Sequence, residues 1–305
     1  MTTLTGKRIL VTGPAGQIAF PLAARLARDN EVWGIARFSD AKARERVEKA
    51  GIETRRVDLA DPDWGDLPGD FDYVLHLAAA IVPGADFEPA LKINAEGTGH
   101  LMSRFRDAGA CLVMSTCGVY ASPDDPHHPC AEGDPLGGSP QPYAPSYCVS
   151  KIAQEAVARF AAREYALPTT IARMNVAYGD NGGLPAMLLD AILAGHPIPL
   201  LAGRASVCSP IHEDDIFDHT PGMLAAASVP ATITNWGGDE PVEIPDLCRE
   251  LAALANREVS LVESSDGIHQ YCLDAARRIE LAGSCRVPWT EGVQRMVAAR
   301  HPELG

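Results

Sequence analysis

Along the first half of the chain, short apolar runs alternate with stretches of helical spacing. Arg8–Val11 is a brief β-branched run that stops at Thr12–Gly13. From Ile18 to Ala27 the apolar residues share one helical face, with Arg25 and Arg28 elsewhere. Pro21 falls near the start of that helix, where first-turn amides have no helical partner to lose. The pattern then predicts a strand at Glu31–Ala36, a charged helix at Lys42–Lys49, and strands at Glu53–Val57 and Tyr73–Leu77. Leu91–Ala108 reads as a helix, Cys111–Met114 as a strand, Ser146–Tyr165 as a long helix and Thr169–Arg173 as a strand. Strands separated by helices pair in parallel through right-handed crossovers, so the spacing predicts an α/β fold built on a doubly wound parallel sheet. After Met174 glycine and proline multiply, and only Leu184–Ala194 and Asp246–Ala255 keep helical spacing. The expected division is a sheet domain of residues 1–174, with a returning segment of about 211–236 that carries the strand Thr232–Trp236. A smaller C-terminal α/β domain takes about 175–210 and 237–305.

Composition narrows the partners. The 305 residues are 46% hydrophobic and 22% charged, with a formal charge of −14. An acidic surface repels phosphate backbones and anionic lipid heads, which argues against nucleic acid and membrane surfaces as partners. No apolar run approaches the roughly 18 residues that span a bilayer. No basic segment followed by an apolar one opens the sequence, so a cytoplasmic location is expected. The eight cysteines include no C-x-x-C pair and read as reduced thiols packed as small hydrophobes.

The chemistry begins at Val11-Thr12-Gly13-Pro14-Ala15-Gly16-Gln17-Ile18-Ala19. This loop follows a predicted strand and opens a predicted helix, the context of a dinucleotide-binding glycine loop and hence of a Rossmann-type sheet. Gly13 permits the turn and Gly16 lets the main chain approach a pyrophosphate. Ala15, Gln17 and Ile18 complete the phosphate-facing segment at the helix N-terminus. Ala19 replaces the third glycine. At the end of the second strand Ala36 stands where an acid would hold a ribose, and Arg37 and Ser39 follow. An arginine there pairs with a 2′-phosphate, which leans the cofactor to NADP with NAD as the alternative; otherwise Arg37 is a solvated residue stacked on the adenine. Tyr147 and Lys151 are four residues apart, on one helical face. The ammonium would lower the phenol pKa, and a tyrosine so tuned exchanges a proton with a substrate hydroxyl or carbonyl. A hydroxyl from Ser115–Thr116, at a strand end, would share the developing charge.

Together these residues resemble the extended short-chain dehydrogenase/reductase family, which includes sugar-nucleotide epimerases and dehydratases. The resemblance spans nearly the whole chain. It rests on Thr12-Gly13-x-x-Gly16, Asp58-Leu59, His76-Leu77-Ala78-Ala79, Asn94-x-x-Gly97-Thr98, Ser115-Thr116 before Val119-Tyr120, Tyr147 with Lys151, Arg173 with Tyr178-Gly179, and His212-x-x-Asp215. It implies that Asp58 and Leu59 contact the adenine and that Leu77, Ala78 and Ala79 line the dinucleotide. Asn94, Asn175 and Val176 would join the cofactor site, along with Tyr147 and Lys151. It makes Thr116, Tyr147 and Lys151 the catalytic set. It also implies a homodimer formed through helices near 94–108 and 147–164.

Departures from the family pattern shape the expected reaction. The dehydratases carry an Asp–Glu pair after the threonine, where this chain has Cys117 and Gly118. The epimerases place an arginine four residues before the histidine, where this chain has Cys208. The leading expectation is therefore an NADP-dependent oxidoreductase acting on a small carbonyl or secondary alcohol, with an NAD-dependent sugar or sugar-nucleotide epimerase as its alternative. A non-catalytic dinucleotide sensor would not need the Tyr/Lys pair. Asp124 to Cys130 gathers carboxylates, two histidines and a thiol, but reads as a solvated loop, and no metal is expected. His76, His212 and Asp215 read as structural hydrogen-bonding groups. Pro197–Leu201 and Met187–Leu189 read either as pocket lining or as core.

Overall fold

The computed structural model of the chain describes residues 4–84, 86–138 and 144–304. Its centre is a seven-stranded sheet. β1 (Arg8–Thr12), β2 (Glu31–Ala36), β3 (Glu53–Arg56), β4 (Tyr73–His76), β5 (Ala110–Thr116) and β6 (Thr169–Met174) are joined by the strand Thr232–Trp236. The order is Thr232–Trp236, β6, β5, β4, β1, β2, β3, and every neighbouring pair is parallel. The chain winds outward from β1 to β3 and then crosses back to β4. A switch point therefore lies between β1 and β4.

Side chains alternate between the two faces of each strand. Ile9 and Val11 join an apolar cluster with Leu22 and Leu26 of α1 (Ala19–Leu26) and with Ile216 and Met223 of the helix Glu213–Ala225. Leu10 faces the other way, toward Leu101 of α4 (Gly97–Arg104) and Ala158 of α5 (Ser146–Glu164). β1, β4 and β5 lie buried on both faces, which is why they read as nearly continuous apolar runs. A third cluster draws its residues from 176–208 and 242–297 only. It joins the helices Leu184–Leu193, Ile244–Leu254 and Trp289–Arg300.

Three expectations change. The predicted helix Leu91–Ala108 is interrupted: α3 (Glu88–Leu91) runs into a π-turn at Lys92–Glu96 before α4 begins. The wider turn carries Asn94 to Ala80 and Ser150, where it makes three hydrogen bonds. Ile198–Leu201 is a strand paired in parallel with Leu261–Ser264, and it lines neither the cleft at the strand ends nor the cavity adjoining it. In the Met187–Leu189 run, Met187 is exposed and Leu188 and Leu189 belong to the third cluster. All eight cysteines are free thiols, and all but Cys285 are buried. Among the described residues no helix is long and apolar enough to cross a membrane.

Gly34 shows how tightly the glycine loop rests on the sheet. A Cβ at Gly34 would stand 2.7 Å from Pro14 Cγ and 3.1 Å from Ile52 Cγ2. Gly34→Ala is expected to lower unfolding stability by about 1–3 kcal/mol through this overpacking, measured by urea denaturation. A variant as stable as the parent would show that the loop yields without cost.

Candidate active site

The carboxyl ends of the central strands open onto a cleft of about 470 Å³, at the switch point where doubly wound sheets take ligands. From β1 it receives Gly13, Ala15, Gly16, Gln17 and Ile18. Gly13 has φ +66°, and a Cβ there would stand 3.1 Å from Ala78 Cα. Gly16 N donates to Gly13 O at 2.9 Å and closes the turn. The helix behind it has no side-chain cap, which leaves first-turn amides available to an anion.

β2 and β3 add Ile35, Ala36, Arg37, Val57, Asp58 and Leu59. Arg37 is exposed along this edge. Ser39 is exposed and is not among the residues that line the cleft. Phe38 takes φ +44°, and the turn sends the chain into α2 (Ala41–Lys49), where Asp40 Oδ1 accepts from Lys42 N at 2.9 Å. Asp40 is thus a helix cap.

The loop after β4 supplies Leu77, Ala78 and Ala79. Thr12 Oγ1 holds it by accepting from Leu77 N at 3.1 Å and Ala78 N at 2.9 Å. The same oxygen meets His76 Nδ1 at 2.9 Å, while His76 Nε2 meets Thr98 Oγ1 at 2.7 Å. His76 is fully buried, and burial together with the charge of Lys151 pushes its imidazole down to about 3. It is a neutral link between β1, β4 and α4. Asn94 does not line the cleft either. Its Nδ2 donates to Ala80 O and Ser150 Oγ, both at 2.9 Å, and its Oδ1 accepts from Ala80 N at 2.8 Å. Asn94 fastens the loop to α5, and its neighbour Ile93 lines the cleft instead.

Thr116, Tyr147 and Lys151 meet at the inner end of the same cleft. Lys151 is 1% exposed and donates from Nζ to Met114 O at 2.7 Å. Burial pushes its ammonium down to about 7, against the opposite pull of Glu155. Thr116 Oγ1 accepts from Gly118 N at 3.2 Å. Behind them lies a buried network that the sequence pattern did not announce. Ser115 Oγ donates to Glu155 Oε1 at 2.6 Å; Arg173 donates from Nε to Oε1 at 2.9 Å and from Nη2 to Oε2 at 2.8 Å. Both ionic side chains are 3% exposed. Helical spacing puts Glu155 one turn beyond Lys151, and that was the available signal.

A second cavity of about 210 Å³ adjoins the first and shares Ile81, Thr116, Tyr147 and Asn175 with it. Its other walls are Cys117, Gly118, Ala144, Cys148, Val176, His269, Gln270 and Tyr271. Val176 therefore faces this cavity and not the dinucleotide cleft. Asn175 locks the junction: its Nδ2 donates to Tyr271 O at 2.7 Å, and its Oδ1 accepts from Val176 N at 2.8 Å and Ser209 N at 2.9 Å. His269–Tyr271 escaped the sequence reading because only tertiary packing brings them here. Cys117 carries a neutral thiol that burial pushes up to about 12. Arg204 lines neither cavity and donates to the carbonyls of Pro123 and Asp124.

Residues 9–230 match the model of the NAD dependent epimerase/dehydratase family. The chain is 25% identical over 318 residues to the trifunctional UDP-glucose 4,6-dehydratase/UDP-4-keto-6-deoxy-D-glucose 3,5-epimerase/UDP-4-keto-L-rhamnose-reductase RHM2 of Arabidopsis thaliana, covering 96% of this chain and 47% of that protein. The chain spans about half the length of the curated plant relatives it matches. It is 25% identical over 326 residues to the dTDP-D-glucose 4,6-dehydratase of Mus musculus, covering 95% of this chain and 88% of the other. Among solved structures, the UDP-glucuronic acid 4-epimerase of Bacillus cereus, in complex with UDP-glucuronic acid and NAD, aligns with a TM-score of 0.82 at 22% identity, over 97% of this chain and 99% of that one. DesIV, the dTDP-glucose 4,6-dehydratase of Streptomyces venezuelae, aligns with a TM-score of 0.79 at 24% identity, over 97% of each chain. These two structures share the fold.

The buried imidazole sets a pH dependence. Its folded pKa lies below the ordinary value of 6.5, so between about pH 6.5 and 3 the unfolded chain binds a proton that the folded chain refuses. Stability contributed here is complete above pH 6.5 and is lost as pH falls. His76→Gln should flatten the slope of unfolding free energy near pH 5 by about 1.4 kcal/mol per pH unit, read from urea melts at stepped pH. An unchanged slope would place the proton uptake elsewhere.

Proposed function

The chain belongs to the NAD dependent epimerase/dehydratase family, and from that premise we propose that it oxidises and re-reduces one carbon of a sugar-nucleotide substrate, with Tyr147 moving the proton. The observation that carries this reading is the meeting of Thr116 and Tyr147 at the junction of two cavities, one of them lined by the glycine loop. The small-ketone reductase gives way to the epimerase alternative. The relatives named above are sugar-nucleotide enzymes matched over at least 95% of this chain, and their structural counterparts hold NAD.

The residues present fit a nicotinamide dinucleotide. Gly13 and Gly16 with the uncapped start of α1 would hold its pyrophosphate, Asp58 and Leu59 its adenosine end, and Leu77–Ala79 its length. Bound there, NAD supplies a hydride acceptor. Its preference over NADP rests on the NAD held by the structural counterparts; Arg37 would then stack on the adenine. Thr116 donates a hydrogen bond to the substrate oxygen. Tyr147 Oη takes the proton from that oxygen on oxidation and returns it on reduction. Lys151, one turn along α5, favours the phenolate by its charge and is buried against Met114 O. Among the described residues lining the second cavity there is no carboxylate. Elimination of water needs an acid and a base there, so epimerisation is the better reading. Residues 175–210 and 237–305 serve as the substrate domain in this scheme. We also propose a homodimer through α4 and α5, whose Val149 and Phe160 are 43% and 62% exposed and lie three turns apart on one face.

Purified protein is expected to retain NAD, to bind NADH more tightly than NADPH, and to interconvert epimers of a UDP- or dTDP-sugar without net consumption of NADH. Net NADPH oxidation on a ketone panel, with no epimer formed, would restore the reductase. Tyr147→Phe should lower kcat by about 10²–10⁴-fold with dinucleotide affinity unchanged in a fluorescence titration. Full turnover in that variant would remove Tyr147 from the mechanism.

A further inference from the structure

On the far side of the sheet from α5, the helix Glu213–Ala225 carries Asp215 and His219, one turn apart on its inner face. Cys285 approaches them from the loop between the helices Ala276–Ala282 and Trp289–Arg300. One ligand atom from each of the three lies within 4.8 Å of the others. None of the three lines the dinucleotide cleft or the cavity beside it.

The independent observation is His219. Its ring is 1% exposed, and neither nitrogen meets a partner in hydrogen-bond geometry; a backbone group of Ser284 makes a weaker polar contact with it. An imidazole buried this deeply without a well-formed hydrogen bond bears a desolvation cost that the protein returns only in part. Asp215 is also 1% exposed. It accepts from Arg286 N at 2.6 Å and Val287 N at 3.3 Å, which fixes the carboxylate and leaves further lone pairs free. Cys285 is half-buried, so the cluster has an edge open to solvent.

We infer that Asp215, His219 and Cys285 form a binding site for a zinc-like divalent cation, separate from the redox centre. One nitrogen, one sulfur and one carboxylate oxygen form a donor set that zinc accepts. Tetrahedral ligands at bond lengths of about 2.0–2.3 Å stand roughly 3.3–3.8 Å apart, so closure asks for a shift of about 1 Å. A water entering past Cys285 completes the coordination. Binding replaces the thiol S–H bond with a sulfur–metal bond and releases that proton to solvent. The surrounding charges allow it: Arg278, whose charge acts on both His219 and Cys285, is engaged by Asp239, and Arg286 by Asp218, while thiolate and carboxylate together neutralise the ion. Two elements distant in sequence become cross-linked, the helix Glu213–Ala225 and the C-terminal segment.

The test uses Co²⁺ with the full-length protein. One equivalent should bind, produce a near-ultraviolet thiolate-to-cobalt band with intense tetrahedral visible bands, and raise Tm. Cys285→Ser should abolish the thiolate band and weaken binding by more than about 10-fold, whereas Cys248→Ser, altered within the third apolar cluster, should leave both intact. His219→Gln should weaken binding comparably while NADH affinity is unchanged. Zn²⁺ should also protect Cys285 of the unaltered protein from iodoacetamide, read by site-resolved mass spectrometry, so the inference does not depend on the variants folding. Absence of a thiolate band, its survival in Cys285→Ser, or unprotected alkylation of Cys285 would each overturn the site.

Discussion

The Glu155 carboxylate is the fixed point of the active region. It lies almost out of water, bound in a two-point ion pair to Arg173 and by a third hydrogen bond to Ser115. A buried ion pair of this kind gains little net stability, because desolvation of both charges offsets their attraction. Its effect here is geometric. Ser115 precedes Thr116 at the end of β5, Arg173 ends β6 beside Met174 and Asn175, and Glu155 follows Lys151 by one turn of α5. One carboxylate therefore sets the distance between the strand ends and the helix that carry the proposed chemistry. A further arm of Arg173 donates to Glu132 O at 3.1 Å, which brings the loop after Tyr120 into the same frame.

The cofactor side is built on neutral hydrogen bonds instead. Thr12, His76, Thr98 and Gln154 form a buried chain that runs from β1 through β4 to α4 and α5. Burial keeps His76 uncharged, so this chain adds no positive charge beneath the cleft. The loop that it positions presents Leu77–Ala79, small and apolar, to one side of the cleft. The opposite side is the glycine loop, pressed against β2 through Pro14 and Gly34.

The second cavity differs in character. Its polar groups are a hydroxyl, two phenols, two thiols, amides and an imidazole; Cys117 and Gly118 stand where the family resemblance would put the acids of a dehydratase. Desolvation keeps the Cys117 thiol protonated, so it does not replace a carboxylate. Arg204 is tied to two backbone carbonyls and lines neither cavity.

The sequence alone determined the alternation of strands and helices, the sheet type, the glycine loop, and the spacing of Tyr147 and Lys151 on one helix face; Thr116 joined them through the family resemblance. These signals are local: apolar runs have the period of the element they form, and a turn needs its glycine wherever the turn occurs. Arg37 was legible as a residue of the cleft edge. Ser39 was not, because the left-handed Phe38 redirects the chain by a choice of backbone well that a motif does not record. Asn94 and Val176 sit in recognisable motifs, yet a π-turn and the lock on Asn175 decide what they face. Glu155, His269–Tyr271 and the Asp215–His219–Cys285 cluster were decided by the tertiary structure alone. Each unites residues separated by tens of positions, and such contacts exist only once packing has excluded water from between them.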